Sequence, residues 1–214
     1  MNYIISLQEI SGVDDVVTEE PYAIEIRLDL MECTPDDLQK IRNSWKGPLL
    51  LTLRSSDEGG KFTGDQKEWR DRLTPLLPYA DIIDIEGRFS VHADWIRSEK
   101  KTIIASCHAD LMLGSEEFRA CEEHLRSFGD IPKIVLAPKS DEDALALLGY
   151  LIHAEEPICI SIMGTGHSWL RPILLLMGSH FAYCHAGDAT ATGQFHIREM
   201  REILSLLTKN GVPI

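Results

Sequence analysis

AIEIRLDL, residues 23–30, decides the fold. Glu25, Arg27 and Asp29 fall at alternate positions, with Ile24, Ile26 and Leu28 between them. Read as a strand with a period of two, the segment turns all three charges to one face and the apolar residues to the other. A strand inside an open parallel sheet is covered on both faces and reads as a nearly continuous apolar run. A strand of a closed barrel has an inner face that can carry charge at its upper end, where barrel enzymes keep their chemistry. Asp84 and Glu86 repeat the alternation farther along.

Outward from this stretch, short β-rich runs alternate with amphipathic ones. The predicted strands are Tyr3–Leu7, Ala23–Leu30, Leu49–Arg54, Asp81–Glu86, Thr102–His108, Lys133–Pro138, Ile158–Gly164 and Phe181–His185. Thr34-Pro35-Asp36-Asp37 reads as a capped helix start with proline in the first turn. Ser115-Glu116-Glu117 and Ser140-Asp141-Glu142-Asp143 place acids where a helix macrodipole favours them. A last helix is predicted from about Gln194 to Lys209, with Ile197, Met200, Ile203, Leu204 and Leu207 on one face, stopped by Asn210-Gly211 and Pro213. The first crossover, Gln8 to Pro21, has room only for a short helix. Strand–helix alternation implies a parallel sheet with right-handed crossovers. Eight units in 214 residues predict a single (β/α)₈ TIM barrel over residues 1–214, with a doubly wound open sheet as the rival.

Composition narrows the function. A formal net charge of −13 repels nucleic acid and anionic lipid, so neither is an expected partner. An anionic small substrate remains compatible if arginines gather in one pocket. No apolar run approaches the roughly 18 residues of a membrane span, and MNYIISLQEI has no signal-peptide pattern. Cys33, Cys107, Cys121, Cys159 and Cys184 are odd in number and have no CxxC spacing, which predicts reduced thiols in a cytoplasmic protein rather than disulfides or a zinc site. The histidines show no metal-ligand spacing, and no metal or cofactor is expected.

Charged and polar residues lie on or just after most strands, and each alone has an ordinary structural reading. Glu25–Arg27 could be an interior ion pair, His108 a packed histidine, Glu58 a solvated loop carboxylate. Met163-Gly-Thr-Gly166 lacks the last glycine of a dinucleotide fingerprint. Their convergence in a closed barrel is what points to chemistry. His108 and Lys133 fall on adjacent strands. A lysine buried among arginines loses hydration and feels like charge, and both favour the free amine. A free amine adds to a ketone and gives an iminium, an electron sink that acidifies the neighbouring C–H for removal by an imidazole. The strand boundary predicted here, however, places Lys133 at the start of its strand, whereas barrel sites lie at strand ends.

In this order, the motifs resemble the type I 3-dehydroquinate dehydratases of the shikimate pathway. The resemblance is carried by Glu25-Ile-Arg27-Leu-Asp29, Thr52-Leu-Arg54 with Glu58-Gly-Gly60, Asp84-Ile-Glu86, Ser106-Cys-His108, Ile131-Pro-Lys133, Met163-Gly with Arg171, Gly178-Ser179 and Thr190-Ala-Thr-Gly-Gln194. It covers Ser6 to Gln194 and implies a metal-free (β/α)₈ barrel that dehydrates 3-dehydroquinate to 3-dehydroshikimate. By the resemblance, Lys133 forms the imine with the C3 ketone, His108 moves the proton from C2 to the departing C1 hydroxyl, and Glu58 orients His108. Arg171 holds the substrate carboxylate with Gln194. Glu25, Arg27 and Arg54 bind ring hydroxyls, Thr190 and the Ala191 backbone close a lid, and Ser6, Met163 and Tyr183 line the site. A homodimer, and in some organisms a fusion to shikimate dehydrogenase, are also implied. The chain departs from the family pattern at Ala109-Asp110 after the base, at the glycine one place early in the Met163 loop, and at Thr192, where the lid usually has a stiffening proline. A class I aldolase and a catalytically silent metabolite-binding barrel are the alternative readings.

Overall fold

A computed structural model describes residues 1–209. Eight parallel strands form a nearly closed barrel: β1 (Tyr3–Leu7), β2 (Ala23–Arg27), β3 (Leu49–Thr52), β4 (Ile82–Glu86), β5 (Thr102–Ala109), β6 (Ile131–Leu136), β7 (Cys159–Ile162) and β8 (Ala182–Cys184). Eight α-helices follow the strands in turn: α1 (Val13–Thr18), α2 (Pro35–Ser44), α3 (Gln66–Leu73), α4 (Ala93–Ser98), α5 (Ser115–Phe128), α6 (Asp141–His153), α7 (Leu170–Leu176) and α8 (Ile197–Thr208). The open-sheet alternative is thereby set aside. Ladders run in the order β7-β6-β5-β4-β3-β2-β1-β8. The β7–β8 join carries no ladder among the described residues. It is held by His180 N–H donating to Ile158 O (2.8 Å) and by the Ser179 hydroxyl, which accepts from Ile160 N (3.0 Å) and donates to Ile160 O (2.9 Å).

The predicted caps form. Thr34 and Ser140 each accept from the N3 backbone amide, while Asp37 and Asp143 reach back to the cap's own N–H. Helix α1 is only six residues long, as the first crossover required. Helix α8 begins at Ile197, capped by His196 rather than at Gln194, because the residues before it belong to the loop over the barrel mouth. It buries Ile197, Met200 and Leu204 and leaves Leu207 exposed. The predicted stop at Asn210-Gly211 and Pro213 lies outside the described residues.

Alternation builds two apolar layers and a polar interior. Residues facing outward, such as Ile5, Ile24, Ile26, Leu51, Ile83, Ile85 and Ile134, pack against the helices together with Trp69 and Phe89, whose rings stack 5.2 Å apart. Residues facing inward at the lower end (Ile4, Ala23, Leu50, Ile82, Ile104, Ile131, Cys159 and Phe181) form a dry floor. Two residues farther along each strand, the same inner face carries Ser6, Glu25, Thr52, Asp84, Ser106, Lys133, Ser161 and Tyr183. The next step up carries Arg27, Arg54, Glu86, His108, Val135 and Met163. Glu25 and Arg27 thus stand above the floor and face the barrel mouth, whereas the predicted strand end at Leu30 is corrected: β2 stops at Arg27, and Asp29 lies beyond it, paired with Arg27.

The boundary at Lys133 is corrected. Strand β6 starts at Ile131, not at Lys133, so Lys133 is its third residue, in register with Ser106 on β5 and Cys159 on β7. Pro132 is the second residue of β6, where proline removes a ladder donor. It is tolerated because β6 pairs with β5 from Ile131 but with β7 only from Lys133, and a proline's missing N–H costs nothing where a strand has one neighbour.

Candidate active site

The barrel mouth holds a cavity of about 770 Å³. All thirteen residues proposed from the sequence line it: Ser6, Glu25, Arg27, Arg54, Glu58, His108, Lys133, Met163, Arg171, Tyr183, Thr190, Ala191 and Gln194. Among the described residues, no group of three or more His, Cys, Asp or Glu side chains is placed to hold a metal ion, and no helix is long and apolar enough to cross a membrane.

Lys133 is 4% exposed. Its Nζ lies 3.2 Å from Asp84 Oδ2 and 4.1 Å from the centroid of the Tyr183 ring. The arginine neighbours expected from the sequence are not its direct partners; a carboxylate and an aromatic face are. Asp84 also accepts from Arg54 Nη2 (2.8 Å) and from the Ser106 hydroxyl (2.5 Å). Burial works against its charge, but Arg54, Lys133 and the Ser106 hydrogen bond outweigh burial and hold the carboxyl below the usual aspartate range.

Arg54 is the hub beneath the site. Its guanidinium donates to Asp84, Glu86 (3.0 Å), Ser106 (2.8 Å) and, more distantly, Glu58 (3.4 Å). Removing one partner from so buried a network costs roughly 3–5 kcal/mol. Most of its donors are therefore committed to protein, more than a purely substrate-binding role would leave. Asp84, Glu86 and Ser106 were not proposed as site residues. Their alternation along β4 and β5 placed them inside, but which charge pairs with which depends on strands that meet only in three dimensions. Arg27 is likewise engaged, donating through Nε and Nη2 to both oxygens of Asp29 (2.9 and 2.8 Å). Glu25 accepts the hydroxyls of Ser6 and, at 2.7 Å, Thr52.

His108 stands one inward layer above Lys133, level with Val135 of β6. Glu58 Oε2 accepts from the His108 backbone N–H (3.0 Å) and lies 2.8 Å from Nδ1. When Glu58 is ionised, the contact holds a ring proton on Nδ1 and leaves Nε2 for the cavity. Glu58 reaches this position from the turn after β3, and the two glycines that follow explain how. Gly59 adopts φ +81°, a left-handed conformation, and a Cβ on Gly60 would fall 2.2 Å from the Arg54 carbonyl oxygen. Burial pushes the Glu58 carboxyl up to about 8, with Arg54 pulling the other way. Burial pushes His108 well below 6.5, and Arg54, Lys133 and Arg27 add to the effect. Neither is comfortable as a lone ion, so the two titrate as a couple.

On the opposite wall, Arg171 enters from the first turn of α7. It is 7% exposed and makes no ion pair among the described residues; Nη2 donates to Thr192 O (3.3 Å), and Nε is buried without a partner. Desolvation lowers it to about 10. The lid over it is docked, not open. Gln194 Oε1 accepts from Thr190 N (3.0 Å) and Thr190 Oγ1 (3.1 Å), which leaves the Gln194 amide N–H groups as donors. Gly193 (φ +75°) lies against Gly164, where a Cβ would sit 2.5 Å from the Gly164 carbonyl oxygen. The Thr192 backbone carbonyl, an acceptor that a proline would also supply, ties this loop to Arg171.

A buried lysine, an imidazole and an arginine without an ion-pair partner among the described residues share one cavity. The type I 3-dehydroquinase profile matches residues 6–211. The chain belongs to the type I 3-dehydroquinase family. Among relatives of this family member, the 3-dehydroquinate dehydratase of Methanospirillum hungatei JF-1 is 43% identical over 191 residues, 89% of this chain and 75% of the relative. The barrel superposes on the 3-dehydroquinate dehydratase of Geobacillus kaustophilus HTA426 with a TM-score of 0.87 at 23% identity, covering 98% of this chain and 92% of that one. It also superposes on the dehydroquinate dehydratase and shikimate dehydrogenase of S. pombe, with a TM-score of 0.76 at 17% identity, covering 96% of this chain but 44% of that one.

Proposed function

We propose that this type I dehydroquinase converts 3-dehydroquinate to 3-dehydroshikimate through an imine on Lys133, with His108 moving the proton. The observation that carries this reading is the placement of Lys133 and His108 on adjacent strands, in successive inward layers of one cavity that also holds an unpaired arginine. Lys133 Nζ adds to the C3 ketone, and loss of water gives an iminium. His108 Nε2 removes a C2 proton, and the C–H electrons move into an enamine. The enamine expels the C1 hydroxyl as His108 returns the proton, so that water leaves. Hydrolysis of the conjugated iminium frees product and lysine. Family membership favours this chemistry over an aldolase, and a site with its base, amine and anion-binding arginine all present argues against a silent barrel.

Arg171 is the substrate's carboxylate partner in this reading, with the Gln194 amide as second donor. A guanidinium held nearly dry without a counter-ion is poised for an anion. Arg171→Ala is expected to raise KM for 3-dehydroquinate roughly 100-fold, with a much smaller change in kcat, because the contact exists before and during chemistry. Steady-state kinetics check this; an unchanged KM would remove Arg171 from the binding role.

Borohydride trapping tests the reading as a whole. Reduction in the presence of 3-dehydroquinate is expected to add the dehydrated ligand's mass to the peptide bearing Lys133. No adduct would support the silent barrel, and an adduct formed only with phosphorylated sugars would support the aldolase.

A further inference from the structure

We infer that Tyr183 is a catalytic residue whose ring face stabilises the planar iminium formed on Lys133. The inference rests on the imine reading above and adds to it the group that holds the cationic nitrogen. Lys133 Nζ is bracketed: the Asp84 carboxylate lies 3.2 Å away and the Tyr183 ring centroid 4.1 Å away. Among the described residues the hydroxyl of Tyr183 has no hydrogen-bond partner, so the polar end of the side chain anchors nothing there. What the residue contributes to its surroundings is its ring.

The two partners act differently as the reaction proceeds. An ammonium offers three N–H donors. The iminium nitrogen keeps one, and that N–H is still accepted by Asp84. The positive charge then spreads over a flat C=N unit, which stacks on a negative ring face as a guanidinium does. The uncharged ketone and carbinolamine gain no such attraction. The contact therefore favours the iminium over the neutral carbinolamine that precedes it, and so lowers the barrier to forming the iminium rather than merely binding substrate. The position of Tyr183 secures the geometry. It projects inward from β8, paired with Ile4 of β1, and stands directly above the floor residue Phe181.

The test compares wild type, Tyr183→Phe, Tyr183→Leu and a series with increasingly fluorinated phenylalanine at position 183. Fluorination drains the ring face of negative charge at nearly constant shape, so it separates electrostatics from packing. The readouts are kcat, KM and the fraction of Lys133 trapped by borohydride with 3-dehydroquinate, with thermal melting as the control for folding. Tyr183→Phe is expected to stay within about twofold of wild type, and Tyr183→Leu to lose about tenfold in kcat and in trapping rate with little change in KM. The fluorinated series is expected to fall in step with the number of fluorines. Full activity across that series, with wild type trapped normally on Lys133, would overturn the role of Tyr183 while leaving the imine intact. Failure to trap wild type would overturn both. If Tyr183→Leu does not fold, the fluorinated series decides alone.

Discussion

Lys133→Ala is expected to lower kcat by at least about 10⁴-fold and to abolish the borohydride adduct. The amine is the atom that becomes covalently bound, and nothing else in the cavity replaces it; removal of a covalent catalyst leaves only what binding and polar preorganisation provide. The loss is expected to be chemical and not a collapse of the site. Asp84, deprived of its lysine, keeps Arg54 at 2.8 Å and Ser106 at 2.5 Å. The inner ring of charge therefore stays satisfied, and circular dichroism of the variant is expected to match wild type. Turnover within tenfold of wild type would contradict covalent catalysis at this residue.

His108→Ala is expected to separate the two halves of the reaction. Loss of a positioned general base costs on the order of 10²–10⁴ in rate. Imine formation needs the lysine rather than the imidazole, so borohydride should still label Lys133, and unreacted iminium should accumulate. A variant that turned over at near-normal rate would disprove the proton path. The pH dependence follows from the couple with Glu58. When the couple loses its shared proton, it is left as a carboxylate bonded to Nδ1–H with Nε2 bare, the form that can take the C2 proton. Activity therefore falls as pH drops. The acid limb of kcat/KM is expected to follow the Glu58 carboxyl, which burial pushes up to about 8. Glu58→Gln cannot ionise, so its limb is expected to move down to the depressed pKa of His108 alone. A limb at the same pH in both proteins would show that the carboxyl does not share the titration.

Much of this site could be read from spacing. Alternation along AIEIRLDL placed Glu25 and Arg27 inside the barrel, and the same period placed Asp84 and Glu86 beside them, whereas Lys133 was read at the start of its strand. The caps at Thr34 and Ser140 were equally legible, since both depend on residues three apart. What spacing could not give was partnership. That Lys133 faces Asp84, that Arg54 is spent on four side chains, and that Arg171 has no counter-charge all depend on which strands become neighbours across the lumen. The start of β6 was misplaced for a local reason: Pro132 looks like an interruption until the absence of a second neighbour at that level is known. The resemblance identified the residues of the lid, but only the contact of Gly193 with Gly164 shows that the lid rests on the β7 loop.

The unladdered join between β7 and β8 bears on how ligand and scaffold communicate. Arg171 follows β7 and Gln194 follows β8, so the proposed carboxylate donors stand on opposite banks of the join that, among the described residues, has no ladder and is held by one main-chain bond and the side chains of Ser179 and Cys159. In the proposed substrate complex the carboxylate would itself be the clasp across that gap. Binding free energy there acts on the scaffold as well as on the ligand, and the bound form gains rigidity along its least stitched edge.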